Sequence, residues 1–81
     1  MRISDIDPSA VERVVHELPR VFHTKDVSRN HVVELAHQAH KGERAYNSVF
    51  GKFLRRNEVE LGIRLDKFPG GSMGARWRKT P

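Results

Sequence analysis

The spacing of apolar residues changes once along this chain, and that change constrains the fold more than any other feature of the sequence. From Ala45 to Leu54 the apolar side chains recur every three or four positions, which is typical of one face of an α-helix. From Val59 to Leu65 they occupy every second position, which is typical of a strand. The sequence therefore predicts a helix followed by a strand, in a domain of the α+β class.

The length of the chain and its lack of cysteine limit how such a domain is stabilised. A chain of 81 residues is expected to form a single domain, with a folded core from about residue 8 to about residue 79. With no cysteine, it has neither a disulfide nor a thiolate zinc site, so its stability must come from packing. No segment is typical of a membrane span or a signal peptide, which predicts a cytoplasmic protein with no membrane partner.

The first helix is bounded by two prolines. Asp7 followed by Pro8 is typical of a helix N-terminus, because the carboxylate caps free N–H groups and proline is tolerated at the first helical position. Pro19 cannot continue the helix. We therefore expect a first helix from about Pro8 to Leu18, followed by a short extended piece at residues 21–23.

A second helix is expected to end at the Lys41-Gly42 pair, since glycine tolerates the left-handed backbone that often ends a helix. Its start is open, because either Thr24 or Ser28 has the side chain of an N-cap residue. The apolar side of this helix would use Val27, Val32, Leu35, Ala36 and Ala39.

The third helix is expected to follow Gly42 almost at once and to extend to about Arg56. No acidic residue interrupts its polar side between Arg44 and Arg56. One residue is unusual there, because Gly51 lowers helix stability by roughly 1 kcal/mol relative to alanine. It either permits close approach of a partner to the backbone or bends the helix.

A β-hairpin is predicted after Asn57. Its first strand follows the alternating pattern that ends at Leu65, a Gly-rich loop occupies residues 67–74, and residues 75–79 return as the second strand. Ala75 and Trp77 should then face the core beside Ile63 and Leu65, and the outer side should carry Arg64, Arg76 and Arg78.

The positive charge lies almost entirely in the C-terminal half. Residues 43–81 carry nine basic and four acidic side chains, and so account for the whole formal net charge of +5. Such a concentrated field indicates an anionic partner. The alternative, that basic residues keep a small protein soluble, explains the asymmetry poorly.

This order of elements, with the stripe Tyr46-Asn47-Ser48-Val49-Phe50-Gly51-Lys52-Phe53-Leu54 and the hairpin from Leu61 to Arg78, resembles the winged helix-turn-helix superfamily. The resemblance covers about residues 8–79 and points to no member family. It implies three helices with a C-terminal two-stranded β-hairpin wing. It also implies that the third helix enters the DNA major groove while the wing touches the backbone or an adjacent minor groove.

The chemistry of the polar side chains assigns roles within that arrangement. Arginine and asparagine can pair with base edges, and serine with a base or a phosphate, which makes the candidates for base contacts Arg44, Asn47 and Ser48. Cations grip phosphates without reading sequence, and the candidates for backbone contacts are Lys52, Arg55, Arg56, Arg64, Lys67, Arg76, Arg78 and Lys79. The alternative is an ordinary solvated surface, with Lys52, Arg55 and Arg56 paired to Glu58 or Glu60.

Catalytic and metal-binding motifs are not evident. His31, His37 and His40 have helical spacing but no cysteine or suitably placed carboxylate completes a metal site, and they are better explained as a solvated or pH-responsive helix face. Tyr46 is a conceivable nucleophile, yet it lies at the edge of the apolar stripe, where packing explains it better. We expect no enzyme activity, metal or cofactor.

The sequence thus predicts a small protein that binds double-stranded DNA, as a transcriptional regulator or an accessory factor associated with the nucleoid or other DNA. A single domain of this size covers about 600–1,000 Å² of DNA, so a homodimer or a larger protein complex would be needed for tight binding. Two alternatives stay open. The fold can serve as a protein-interaction module, or the charges can bind structured RNA.

Overall fold

A computed structural model describes residues 1–68 and 72–81 of the chain. Within these ranges it has five α-helices, three β-strands and two single turns of 3-10 helix, at Ile3–Asp5 and Gln38–His40. In chain order, the helices and strands are α1 (Pro8–Glu17), β1 (Val21–His23), α2 (Thr24–Ser28), α3 (His31–Ala36), α4 (Tyr46–Arg56), α5 (Glu58–Leu61), β2 (Ile63–Lys67) and β3 (Arg76–Lys79). The fold is therefore α+β, as the sequence predicts.

Helix α1 confirms the prediction for the first helix. The Asp7 carboxylate accepts hydrogen bonds from the backbone N–H groups of Ser9 and Ala10, at 3.0 and 3.4 Å, so it caps the free N-terminal end of the helix. The helix ends one residue earlier than predicted, at Glu17, and its buried face consists of Ala10, Val11, Val14 and Val15.

The prediction of one continuous second helix is wrong. Two short helices, α2 and α3, occupy this region, and the 3-10 turn follows them. The Asn30 side chain accepts the Val32 N–H at 2.9 Å and so starts a new helix after the first has ended. Neither predicted cap, Thr24 or Ser28, is used. Helix α2 begins after His23, whose N–H donates to the Asp26 carboxylate at 2.7 Å, and α3 begins after Asn30.

Helix α4 buries the predicted apolar stripe. It begins at Tyr46, so Arg44 lies in the turn before the helix rather than within it. The Asn57 side chain donates to the Phe53 carbonyl at 2.8 Å and closes the last turn. The buried side chains of the stripe are Tyr46, Val49, Phe50, Phe53 and Leu54.

The alternating segment is a strand only in its second half. Residues 58–61 form the short helix α5, and Val59 is 91% exposed instead of facing the core. Gly62 ends this helix with a left-handed backbone (φ 64°), which glycine adopts without strain. The predicted strand therefore begins only at Ile63.

The sheet has three antiparallel strands in the order β1-β3-β2, instead of the two predicted. The added strand is β1, the short extended piece after α1. Trp77 on the central strand pairs with Phe22 on one side and Leu65 on the other. Its indole N–H donates to the Thr24 hydroxyl at 2.9 Å, which satisfies the one polar group of a fully buried ring. The predicted inward position of Trp77 is confirmed.

The segment that joins β2 to β3 is described at both of its ends. The predicted Gly-rich loop of residues 67–74 includes Pro69, Gly70 and Gly71, which lie outside the described residues. Gly74 has a left-handed backbone (φ 81°), and a Cβ there would lie 2.9 Å from Thr24 Cβ. Glycine is required at this position because both the backbone and the space exclude a side chain.

Candidate nucleic-acid interface

A groove of about 630 Å³ separates the polar side of α4 from the β2–β3 pair. Its floor and one wall are mostly apolar, formed by Leu65, Phe68, Ala75 and Trp77. Its rim is cationic, formed by Lys25, Lys52, Arg55 and Arg56. Among the described residues that line it there is no carboxylate, so this surface is open to an anion.

The three cations near the end of α4 do not have equal freedom. Arg55 donates to both oxygens of the Glu58 carboxylate, at 3.2 and 3.3 Å, which is one of the pairings that the sequence left open. Across residues 1–68 and 72–81, no carboxylate lies within ion-pairing distance of Lys52 or Arg56. Lys52 and Arg56 are therefore the helix cations best placed to meet a phosphate.

Glu58 also protects the edge of the sheet. Its carboxylate accepts the Leu65 N–H at 2.6 Å, on the side of β2 that has no neighbouring strand. Unpaired strand edges promote association with other chains, and this contact occupies one of the free N–H groups on that edge.

The three predicted base-contact residues have different surroundings. Arg44 is exposed in the turn before α4, and Ser48 is exposed on the helix, where its hydroxyl donates to the Ala45 carbonyl at 3.0 Å. Asn47 is half-buried, and its side-chain oxygen accepts the hydroxyl of buried Ser28 at 2.5 Å. Because that oxygen already accepts one hydrogen bond, a two-bond contact of Asn47 with adenine would use its second lone pair or replace the bond to Ser28.

The arginines of the sheet lie on its outer face. Arg64 pairs with Arg78 across the strands, one residue away from Leu65 and Trp77, whose side chains face inward. None of the five predicted contacts from the strands lines the groove beside α4, and those residues are Arg64, Lys67, Arg76, Arg78 and Lys79. The structure thus brings together the helix cations but separates them from the strand cations.

Local acceptors already engage three of the strand cations. Asp66 lies 2.7 Å from Arg76 Nε and 3.7 Å from Arg78 Nε. The hydrogen bond from Arg76 and the charges of both arginines hold the pKa of Asp66 below its ordinary value. Lys79 Nζ donates to the carbonyls of His16 and Leu18 at 3.1 and 2.5 Å, so it caps the C-terminal end of α1.

Sequence reasoning missed several residues of the groove. Lys25 belongs to α2, and its backbone N–H donates to the Met73 carbonyl at 3.1 Å, which joins α2 to the segment before β3. Phe68 is 72% exposed at the end of the groove. In the sequence, Lys25 directly follows the candidate cap Thr24, and Phe68 lies in the predicted Gly-rich loop. Only the tertiary structure shows that both residues line the same groove.

His37 is a core residue, so its assignment to a solvated helix face is wrong. Its Nε2 accepts the Asp7 N–H at 2.8 Å, which leaves the proton on Nδ1 to be donated to the Val33 carbonyl at 2.7 Å. Its ring packs edge-on against the ring of Phe50, with 5.1 Å between the two ring centroids. Among the described residues, no three histidine or acidic side chains form a group that could hold a metal ion.

Tyr46 is buried, and its hydroxyl has no hydrogen-bond partner among the described residues. Burial, with a smaller contribution from the charge of Glu34, raises the pKa of Tyr46 above its ordinary value. Both properties oppose formation of the phenolate that a nucleophile needs. Packing is the better explanation for this residue.

Two further observations bear on the type of protein. None of the helices in the described ranges is long and apolar enough to span a membrane. Comparison of the chain with protein-family models, with curated proteins and with solved structures finds no match.

Proposed function

We propose that this chain is a winged-helix domain that binds double-stranded DNA, as a transcriptional regulator or accessory factor. In this proposal α4 enters the major groove and the β2–β3 pair is the wing, which approaches the backbone or an adjacent minor groove. The order of helices and strands supports the fold assignment. The strand order β1-β3-β2 also supports it, because it leaves the last two strands free to project beside α4.

The observation that carries the proposal is the cationic rim of the groove beside α4. Lys25, Lys52, Arg55 and Arg56 surround one continuous depression, and no carboxylate lines it among the described residues. Arg44 adds a fifth exposed cation just before the helix. Four cations around a depression that no acid lines, with Arg44 as a fifth nearby, are the kind of surface that binds the phosphates of DNA.

The roles within this interface follow from the contacts of each side chain. Lys52, Arg56, Lys25 and Arg44 provide affinity, and Arg55 adds to it to the extent that Glu58 releases it. Ser48 and Arg44 are the candidates for base contacts, with the Asn47 amide N–H₂ as a third donor. Arg64, Arg76 and Arg78 contribute a long-range field rather than direct contacts, because they lie on the outer face of the sheet. Lys79 is engaged at the end of α1.

The salt dependence of binding to a duplex tests the proposal. Five phosphate contacts predict that the logarithm of the association constant falls with the logarithm of salt concentration with a slope of about −4.5. Fluorescence anisotropy with a labelled duplex of mixed sequence measures this slope. A slope near zero, or no binding at low salt, would contradict DNA binding and favour a protein-interaction module.

Competition distinguishes DNA from structured RNA. The deep and narrow major groove of an A-form duplex does not admit a helix such as α4. Unlabelled DNA should therefore displace the labelled duplex at much lower concentration than double-stranded RNA of the same length. Equal or stronger displacement by the RNA would replace DNA by RNA as the partner.

A further inference from the structure

The floor of the groove is not explained by DNA binding. Phosphates and base edges would engage the cationic rim, whereas the floor is the carbon surface of Leu65 and Ala75 above the buried Trp77 ring, with Phe68 at one end. Phe68 keeps 72% of its surface exposed and so adds apolar area at this end of the groove. Leu65 and Ala75 are only partly buried against the core, and the apolar surface that they and Phe68 present to the groove would stay uncovered in a contact made only through the rim.

A glycine on the adjacent helix adds an independent observation. Gly51 lies in the interior of α4, where glycine lowers helix stability relative to alanine. A Cβ at this position would come no closer than 3.8 Å to Thr24 Cγ2, which is an ordinary contact distance. The packing of α2 against α4 therefore does not require glycine. Its missing side chain keeps open the groove that it lines.

The volume of the groove sets the size of an occupant. At about 630 Å³ it falls within the range of roughly 300–1,000 Å³ that is typical of small-molecule sites. Such sites combine a mostly apolar lining with a few polar groups that fix the orientation of the ligand. Here the polar groups at the rim are cations, Lys52 and Arg56 among them, so charge complementarity favours an anion.

We propose that the groove between α4 and the β2–β3 pair binds a small amphiphilic anion, a molecule with an aromatic or aliphatic body and one carboxylate or sulfonate group. The apolar body lies over Gly51 and Ala75 and against Phe68. The anionic group meets Lys52 and Arg56 at the rim. Because Lys52 and Arg56 also belong to the DNA surface proposed above, an occupied groove competes with DNA. The binding itself does not depend on DNA binding.

The test uses 8-anilinonaphthalene-1-sulfonate, a fluorescent apolar sulfonate, with N-phenyl-1-naphthylamine as a neutral probe of similar shape. The folded protein should bind the sulfonate at a single site and more tightly than the neutral amine. Amide shifts in NMR spectra of the unmodified protein should move at Gly51, Gly74 and Ala75. Absence of saturable sulfonate binding, or equal binding of the two probes, would overturn the proposal.

Substitutions then locate the site. Gly51→Leu fills the groove and should weaken sulfonate binding by about tenfold or more. Lys52→Ala should weaken it by about threefold and leave binding of the neutral probe unchanged. Leu35→Ser is the matched control, since Leu35 is 64% exposed on α3 and lies outside the groove.

The shifts in the unmodified protein remain informative even if Gly51→Leu proves unstable in a thermal melt. Two outcomes would contradict the site. In the first, Leu35→Ser weakens sulfonate binding and Gly51→Leu does not. In the second, the amide shifts are centred away from the groove. Neither probe experiment contains DNA, so failure here leaves the salt slope of DNA binding as an independent result.

Discussion

The groove face beside α4 and the outer face of the sheet are both cationic, but their cations have different surroundings. On the outer face, Arg76 and Arg78 share the single carboxylate of Asp66, whereas no carboxylate of the described residues lies within ion-pairing distance of Arg64. On the groove face, Lys52 and Arg56 have no carboxylate partner among the described residues, and the apolar floor lies beside them. Net charge alone would treat these surfaces alike. The apolar floor beside Lys52 and Arg56 distinguishes the groove face from the outer face.

Charge reversal on the two faces should produce the largest difference between them. Lys52→Glu with Arg56→Glu places two acids in the rim and should lower affinity for a duplex by about a hundredfold or more at low salt. The matched pair Arg64→Glu with Arg78→Glu makes the same change in net charge on the outer face. It should lower affinity by less than about tenfold, through the long-range field. Equal losses, measured by fluorescence anisotropy, would mean that only total charge matters.

Loss of the Thr24 hydroxyl tests what holds the groove floor in place. Thr24→Val leaves the buried indole N–H of Trp77 without an acceptor and should lower the free energy of unfolding by about 1–3 kcal/mol. Thr24→Ser retains the hydroxyl and is the control, with a smaller loss. Urea denaturation followed by tryptophan fluorescence measures both variants. A loss in Thr24→Ser with none in Thr24→Val would show that the methyl group, and not the hydrogen bond, matters at this position.

The hydrogen bond between Ser28 and Asn47 can be removed from either side, which separates its effect on stability from any role of Asn47 in binding. Asn47→Ala leaves the buried Ser28 hydroxyl unpaired, and Ser28→Ala removes the same bond from the other side, so each should cost about 1 kcal/mol of stability. Only Asn47→Ala also removes a donor from the groove face. It should therefore reduce discrimination between duplex sequences, which competition binding measures. A similar change in discrimination in Ser28→Ala would assign the effect to the position of α4.

The pH dependence of the Asp66 pairs is the smallest expected effect. Because the pKa of Asp66 is lowered in the folded state, its pairs stabilise the fold above the ordinary Asp value of 3.8, and this contribution is lost as the pH falls through the lowered value. Asp66→Asn should thus be slightly less stable than the unmodified protein at neutral pH, and the difference should vanish in acid. A difference that persists in acid, in thermal melts, would show that the pairing is not electrostatic.

Local signals in the sequence predicted those elements that local chemistry determines. Asp7, Pro8 and Pro19 bound α1 almost as expected, since a cap and two prolines act over a few residues. The spacing of apolar residues identified the buried stripe of α4 and the inward position of Trp77. In each case the period of the pattern and the burial of the residues agree.

The errors have equally specific causes. One asparagine cap divides the predicted second helix, because Asn30 satisfies the Val32 N–H and starts α3. Alternation across Val59 and Leu61 was misleading, because a four-residue helix ended by Gly62 contains too few residues to show a period. Sequence patterns also cannot indicate which face of the sheet lies beside α4. Arg64, Arg76 and Arg78 were therefore expected beside the helix cations, although they lie on the other face.

The most direct test of the central claim, that the groove face and not the outer face of the sheet binds DNA, is an NMR titration of the ¹⁵N-labelled protein with a short duplex at low salt. The account predicts that the amide signals of Lys25, Ser48, Lys52 and Arg56 shift progressively, while those of Arg64 and Arg78 stay in place. Shifts concentrated at Arg64 and Arg78, or no shifts at all, would contradict it.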